Sequence, residues 1–212
     1  IASHTKPSSR AKHPIEAAYF HQSHLKKRQD YGHQAVGIML ACNNIIPNYA
    51  IVLYDKADSK IEIIRNVIKE LPKPPYKGYF LCDSWYASNR LMNDFQQKGF
   101  YTVGALRTNH IIYPNQVRRQ AKQFAPSIHK DDPNINLVTV DKRKYYVYRY
   151  QGRINEHDEA IVLLSYPEGA FGQADALHVF ISTQIESTAQ EIMDIYAIRW
   201  KIEVFFRSCK QK

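Results

Sequence analysis

The sequence predicts a mixed α/β domain, on three observations. Between Tyr31 and Leu106, β-prone apolar runs alternate with segments of helical period in the order β-β-α-β-α-β. Residues 107–178 then break this rhythm and add further strand-like runs. The chain closes on a long stretch, Ile192–Lys210, without Pro or Gly.

Each element has a local reason. Residues 2–30 are polar and basic, punctuated by Pro7, Ser8, Ser9 and Pro14, and are expected to be loop. His33–Cys42 and Ile45–Tyr54 are β-prone runs separated by Asn43-Asn44, which predicts a strand pair with a turn. Ser59–Leu71 places Ile61, Ile64, Val67, Ile68 and Leu71 at helical spacing before Pro72-Lys-Pro-Pro stops it. Tyr79–Cys82 is a short buried strand ending at Asp83; Asn89–Lys98 is a helix closed by Gly99; Phe100–Leu106 is a further strand. In the later region Ala125–Asn136 is loop-like, and Lys142–Tyr150 and Glu159–Tyr166 are strands. Tyr145, Tyr146, Tyr148 and Tyr150 are read as half-buried strand residues, and Val179–Ser182 is the last strand. Ser187-Thr188 followed by Glu191 predicts a capping box opening the final helix.

A chain of 212 residues with 44% hydrophobic content suits one domain with a sizeable core. No apolar run approaches the roughly 20 residues needed to span a bilayer, and the first residues lack the form of a signal peptide, so no membrane partner is expected. Cys42, Cys82 and Cys209 are scattered and form no CxxC pair; they are expected to be core thiols of a reduced, cytoplasmic protein. The formal charge of +9 is concentrated. Residues 104–153 carry ten Lys/Arg against three Asp, and residues 1–34 carry six against two acids. Clustering of this kind points to a polyanion partner. Arg107, Arg118, Arg119 and Lys122, with the Lys142–Lys144 run, are the candidates for tracking phosphates.

Two positions carry the chemistry. Asp83 lies just past the end of a central strand, where α/β sheets place ligands; the competing reading is that it caps the helix that follows. On a helix advancing about 100° per residue, Tyr196, Arg199, Glu203 and Lys210 fall within roughly 60° of one another. Ile195, Ile198, Ile202, Phe205, Phe206 and Cys209 form the adjoining apolar stripe, expected to face a core.

The spacing of Tyr196, Arg199, Glu203 and Lys210 resembles the Tyr-Arg-Glu-Lys signature of bacterial insertion-sequence transposases of the DDE type. Phe80-Leu-Cys-Asp-Ser-Trp-Tyr86 is similar to the setting of that family's second catalytic Asp. The resemblance implies a ribonuclease-H-like core (residues 31–106 and 179–212) with a β-rich insertion (residues 107–178) between Asp83 and Glu203. It implies a transposase that cuts DNA at element ends and joins the freed 3′-hydroxyl to target DNA. Asp83 and Glu203 would be catalytic ligands of Mg²⁺, with Mn²⁺ as a substitute, because hard oxygen donors suit these ions. Tyr196, Arg199 and Lys210 would contact DNA phosphates. Trp85 would stack on an unpaired base, although packing is the commoner role for such a residue. A homodimer on paired double-stranded DNA ends and a nucleoid-associated location are also implied.

The family's first catalytic Asp has no match in residues 1–30, since Asp30 follows a polar run and Asp55 ends a different strand. The chain is therefore expected to begin after that residue and its strand, and to be inactive by itself. Two alternatives stand beside this reading: a metal-dependent nuclease of the same fold, and a DNA-binding remnant without chemistry.

Overall fold

The computed structural model describes residues 2–7, 16–23, 28–42, 45–155 and 157–210. The strands are β1 (Ala2–Pro7), β2 (Tyr19–Ser23), β3 (Arg28–Met39), β4 (Asn48–Tyr54), β5 (Gly78–Cys82), β6 (Phe100–Leu106), β7 (Ile111–Ile112), β8 (Arg119–Gln120), β9 (Ile135–Val140), β10 (Arg143–Gly152), β11 (Ala160–Pro167) and β12 (His178–Ser182). The helices are α1 (Lys60–Glu70), α2 (Asn89–Gln97), α3 (Ala121–Phe124), α4 (Ala189–Ala197) and α5 (Trp200–Lys210). The chain forms two compact units, one of residues 1–71 with 199–212 and the other of residues 72–198.

The first unit is built on β3. Strand β1 pairs antiparallel along one edge of it, and β2 and β4 follow one another along the other edge. Ser59 caps α1 by accepting from the Glu62 N–H at 3.1 Å, and Ile63, Ile64 and Ile68 are buried beneath the helix. Helix α5 buries Ile202 and Phe206, with Met39 and Phe205 beside them. Phe206 needs a side-chain-free partner. A Cβ placed on Gly37 of β3 would lie 2.6 Å from the ring's Cζ.

The second unit contains a six-stranded mixed sheet in the order β5-β6-β12-β11-β10-β9. Strands β5 and β6 are parallel, and every other neighbouring pair is antiparallel. Strand β11 is buried from Ala160 to Tyr166, so both sheet faces are covered. On one face Val162, Leu164, Val179 and Ile181 pack with Met92 of α2 and Ala121 of α3. On the other, Val103, Ile161, Leu163 and Phe180 pack with Ala189, Ile192 and Met193 of α4. Strands β9, β10 and β11, from the region predicted as an insertion, extend the same sheet as β5, β6 and β12. This mixed α/β unit, a six-stranded mixed sheet flanked by helices, is consistent with the ribonuclease-H-like class.

Helix α4 is fixed at its start and along its length. Thr188 and Glu191 form the predicted capping box. The hydrogen bonds from Thr188 hold the Glu191 carboxyl below its ordinary value. Gln190 accepts from the Thr139 N–H at 3.1 Å and donates to the Thr139 carbonyl at 2.9 Å. Its amide thus occupies the outer edge of β9 as a neighbouring strand would.

Several expectations are corrected. The final stretch is two helices, because Ile198 and Ile202 bond back to Ile195 and Arg199 three residues earlier. β-Branched Ile195, Ile198 and Ile202 and aromatic Trp200 are weak helix formers, so tightened bonding there costs little. Ile198 and Cys209 are exposed and leave the apolar stripe, and Cys42 is exposed too; Cys82 alone of the three thiols is buried. Residues 2–7 and 19–23 are strands, where loop was expected. Strand β9 was also missed. It joins β10 through Asp141 and Lys142, both at positive φ, as a tight hairpin turn requires. The four tyrosines of β10 are half-buried or buried, as expected.

Gly37→Ala is expected to lower stability by about 1–3 kcal/mol through overpacking against Phe206. In urea unfolding, Phe206→Leu should restore part of the loss in the double variant.

Candidate functional site

Asp83 follows directly on Cys82, the last residue of β5. Cys82 is fully buried opposite Gly104 of β6, where a Cβ would lie 2.7 Å from the Cys82 Sγ. The Asp83 Oδ1 accepts from the Trp85 N–H at 2.9 Å and from the Tyr86 N–H at 3.3 Å. The Asp83 carbonyl accepts from Tyr86 and Ala87. Asp83 therefore closes a compact turn. It does not cap α2, whose N-cap is Ser88. Among the described residues no partner reaches Oδ2. Trp85 is 50% exposed and meets the buried Tyr86 edge-on, with ring centroids 4.7 Å apart.

Beside this turn is a cavity of about 460 Å³ lined by Ser84, Arg107, Thr108, His178, Phe180 and Tyr196, among others. It lies at the carboxyl ends of β5 and β6, the position expected of a ligand crevice in such a sheet. Tyr196, near the end of α4, packs on Phe180 with ring centroids 4.8 Å apart. Two residues selected from sequence, Arg107 and Tyr196, thus line one crevice next to Asp83. His178 lines it as well and was not selected; its signal was a polar residue at the start of a buried strand.

The other candidates separate. Arg118, Arg119 and Lys122 are exposed around β8 and the start of α3, as are Lys142, Arg143 and Lys144 at the β9–β10 turn. In the first unit the Arg199 Nη1 donates to the Glu203 Oε1 at 3.0 Å, with the Arg side chain 14% exposed and the Glu 41%. Arg199 stands in the turn before α5, so it orients Glu203 from one helical turn earlier. Lys210 ends α5, and its side chain lies outside the described residues, as do Arg10, Lys12, Lys26 and Lys27 of the basic N-terminal segment. Tyr196 and Glu203 occupy different helices, so the single edge expected of Tyr196, Arg199, Glu203 and Lys210 is not carried by one continuous helix.

A family model described as the transposase DDE domain matches residues 8–212. The chain belongs to the transposase DDE domain family. Comparison with curated proteins gives no match. Membership brings a DNA-cutting and DNA-joining activity and DNA as partner, and proteins of this family generally use divalent metals. Among the described residues no group of three or more His, Cys, Asp or Glu is arranged to hold a metal ion. Also among them, no helix is long and apolar enough to cross a membrane.

The turn at Asp83 separates a structural from a chemical role. Asp83→Asn keeps an acceptor at Oδ1 and should unfold within about 0.5 kcal/mol of the parent, whereas Asp83→Ala should lose about 1 kcal/mol, measured by thermal or urea unfolding.

Proposed function

We propose that the chain is the catalytic part of an insertion-sequence transposase of the Tyr-Arg-Glu-Lys branch. It would cut DNA at element ends and join the 3′-hydroxyl to target DNA. The observation that carries this is the position of Asp83 at the end of β5, beside a crevice lined by Arg107 and Tyr196, in a chain of this family.

The donor chemistry fits a hard divalent cation. Asp83 uses Oδ1 within its turn and Glu203 uses Oε1 toward Arg199, so each keeps a second carboxylate oxygen to offer. Mg²⁺, or Mn²⁺ in its place, supplies charge relief on the phosphate oxygens and activation of the attacking hydroxyl when bound. The rest is positioning by the protein. The turn hydrogen bonds fix the Asp83 carboxylate, and Arg199 fixes that of Glu203. Arg107, Arg118, Arg119 and Lys122 hold the DNA backbone, with Tyr196 and Lys210 contacting phosphates nearer the cut. Exposed Trp85 is the surface for an unstacked base. A third carboxylate is not identified in this sequence, and the proposal includes weak or absent activity of residues 1–212 by themselves. Paired ends imply a dimer of this chain on DNA.

One observation favours a second reading. Both carboxylates already have protein partners, and no three-ligand group occurs among the described residues. A DNA-binding remnant without chemistry has those properties.

Nicking of supercoiled plasmid in Mg²⁺ or Mn²⁺ separates the two. A version extended upstream should nick, Glu203→Ala should reduce its rate by at least about a hundredfold, and the 212-residue chain should be far weaker. No metal-dependent nicking by any version favours the remnant. Linkage of cut ends to new DNA distinguishes a transposase from a nuclease.

A further inference from the structure

We propose that Arg107 and His178 act as a cross-strand pair that grips one phosphate of the DNA backbone beside Asp83, an inference that rests on the DNA-cutting reading above. The β6–β12 register pairs Val179 with Leu106 and Phe180 with Ala105. Arg107 follows Leu106 directly and His178 directly precedes Val179, so the two residues leave this paired end of the strands side by side. Residues opposite one another on antiparallel strands share a face, with Cβ atoms about 4.5–5.5 Å apart. Both side chains are exposed, and both line the cavity next to Asp83 together with the hydroxyl residues Ser84 and Thr108.

No carboxylate lines this cavity. Among the described residues, neither the Arg107 nor the His178 side chain has a hydrogen-bond or ion-pair partner. A guanidinium and an imidazole side by side, both able to donate and neither satisfied, form a receptor for an anion. Arg offers two parallel N–H groups to phosphate oxygens, and the imidazole offers one more. Beside them on the same sheet face are Ala105, Phe180 and Tyr196, an apolar wall that strengthens such contacts by excluding water. A backbone phosphodiester therefore suits the cavity, and it would hold the strand in register with the carboxylate at the end of β5.

The test measures binding of a fluorescein-labelled DNA duplex by anisotropy, in EDTA and across a potassium chloride series, so that it does not depend on catalysis. Arg107→Gln and His178→Ala should each weaken binding about fivefold at low salt and lower the salt slope by about one. His178→Lys should restore most of the affinity. The double variant should lose less than the two single losses combined, since both side chains serve one phosphate. Equal thermal midpoints across the set identify the loss as a surface effect. His178→Ala with parental affinity and slope, alongside a loss in Arg107→Gln, overturns the pair while leaving the DNA reading intact. Absence of salt-dependent binding by the parent protein overturns both.

Discussion

The antiparallel pairing of β12 with β6 is the constraint on which the second unit depends. Strand β6 is parallel to β5, and β12 turns the sheet over into the antiparallel run β11, β10, β9. Because Val179 meets Leu106, the residues after β6 and those before β12 emerge at the same end of the sheet. That is also the end at which β5 releases Asp83. The interior enforces this register. Val103, Ile161, Leu163 and Ile181 are fully buried, and a one-residue slip would carry each to the opposite face, against a different helix.

Helix α4 is placed on that sheet by polar contacts as well as apolar ones. Its cap fixes where it begins, and Gln190 fixes it against the edge of β9, the strand farthest from β5. Ile192 and Met193 then seal its inner face. Tyr196 reaches Phe180 and the crevice as a consequence, and the turn that follows carries Arg199. Thus the edge strand β9 and the crevice beside β6 and β12 are connected through one helix.

Much of this was readable beforehand. Helices α1 and α2 announced themselves through aliphatic spacing and through Pro72 and Gly99 as stops, and β5 and β6 through short apolar runs. The position of Asp83 just past a short apolar run was legible, but its turn was not: a helix cap was the competing reading, and its Oδ1 accepts from Trp85 and Tyr86 instead. The break after Ala197 was not, since no Pro or Gly marks it and the change is only from four-residue to three-residue bonding. Strand β9 was hidden because only Val138 is buried along it, leaving no alternation to detect. Strands β1 and β2 are polar segments whose partners are the backbone groups of β3, a relation no local pattern encodes. His178 was overlooked for a related reason: its meaning comes from the strand across from it.

We propose that Asp83 and Glu203 are each ligands of a divalent cation. Calorimetric titration of Mn²⁺ into the protein tests it most directly, with Asp83→Asn and Glu203→Gln compared against the parent. The account predicts at least about tenfold weaker binding in each variant. Parental Mn²⁺ affinity in both single variants would contradict it.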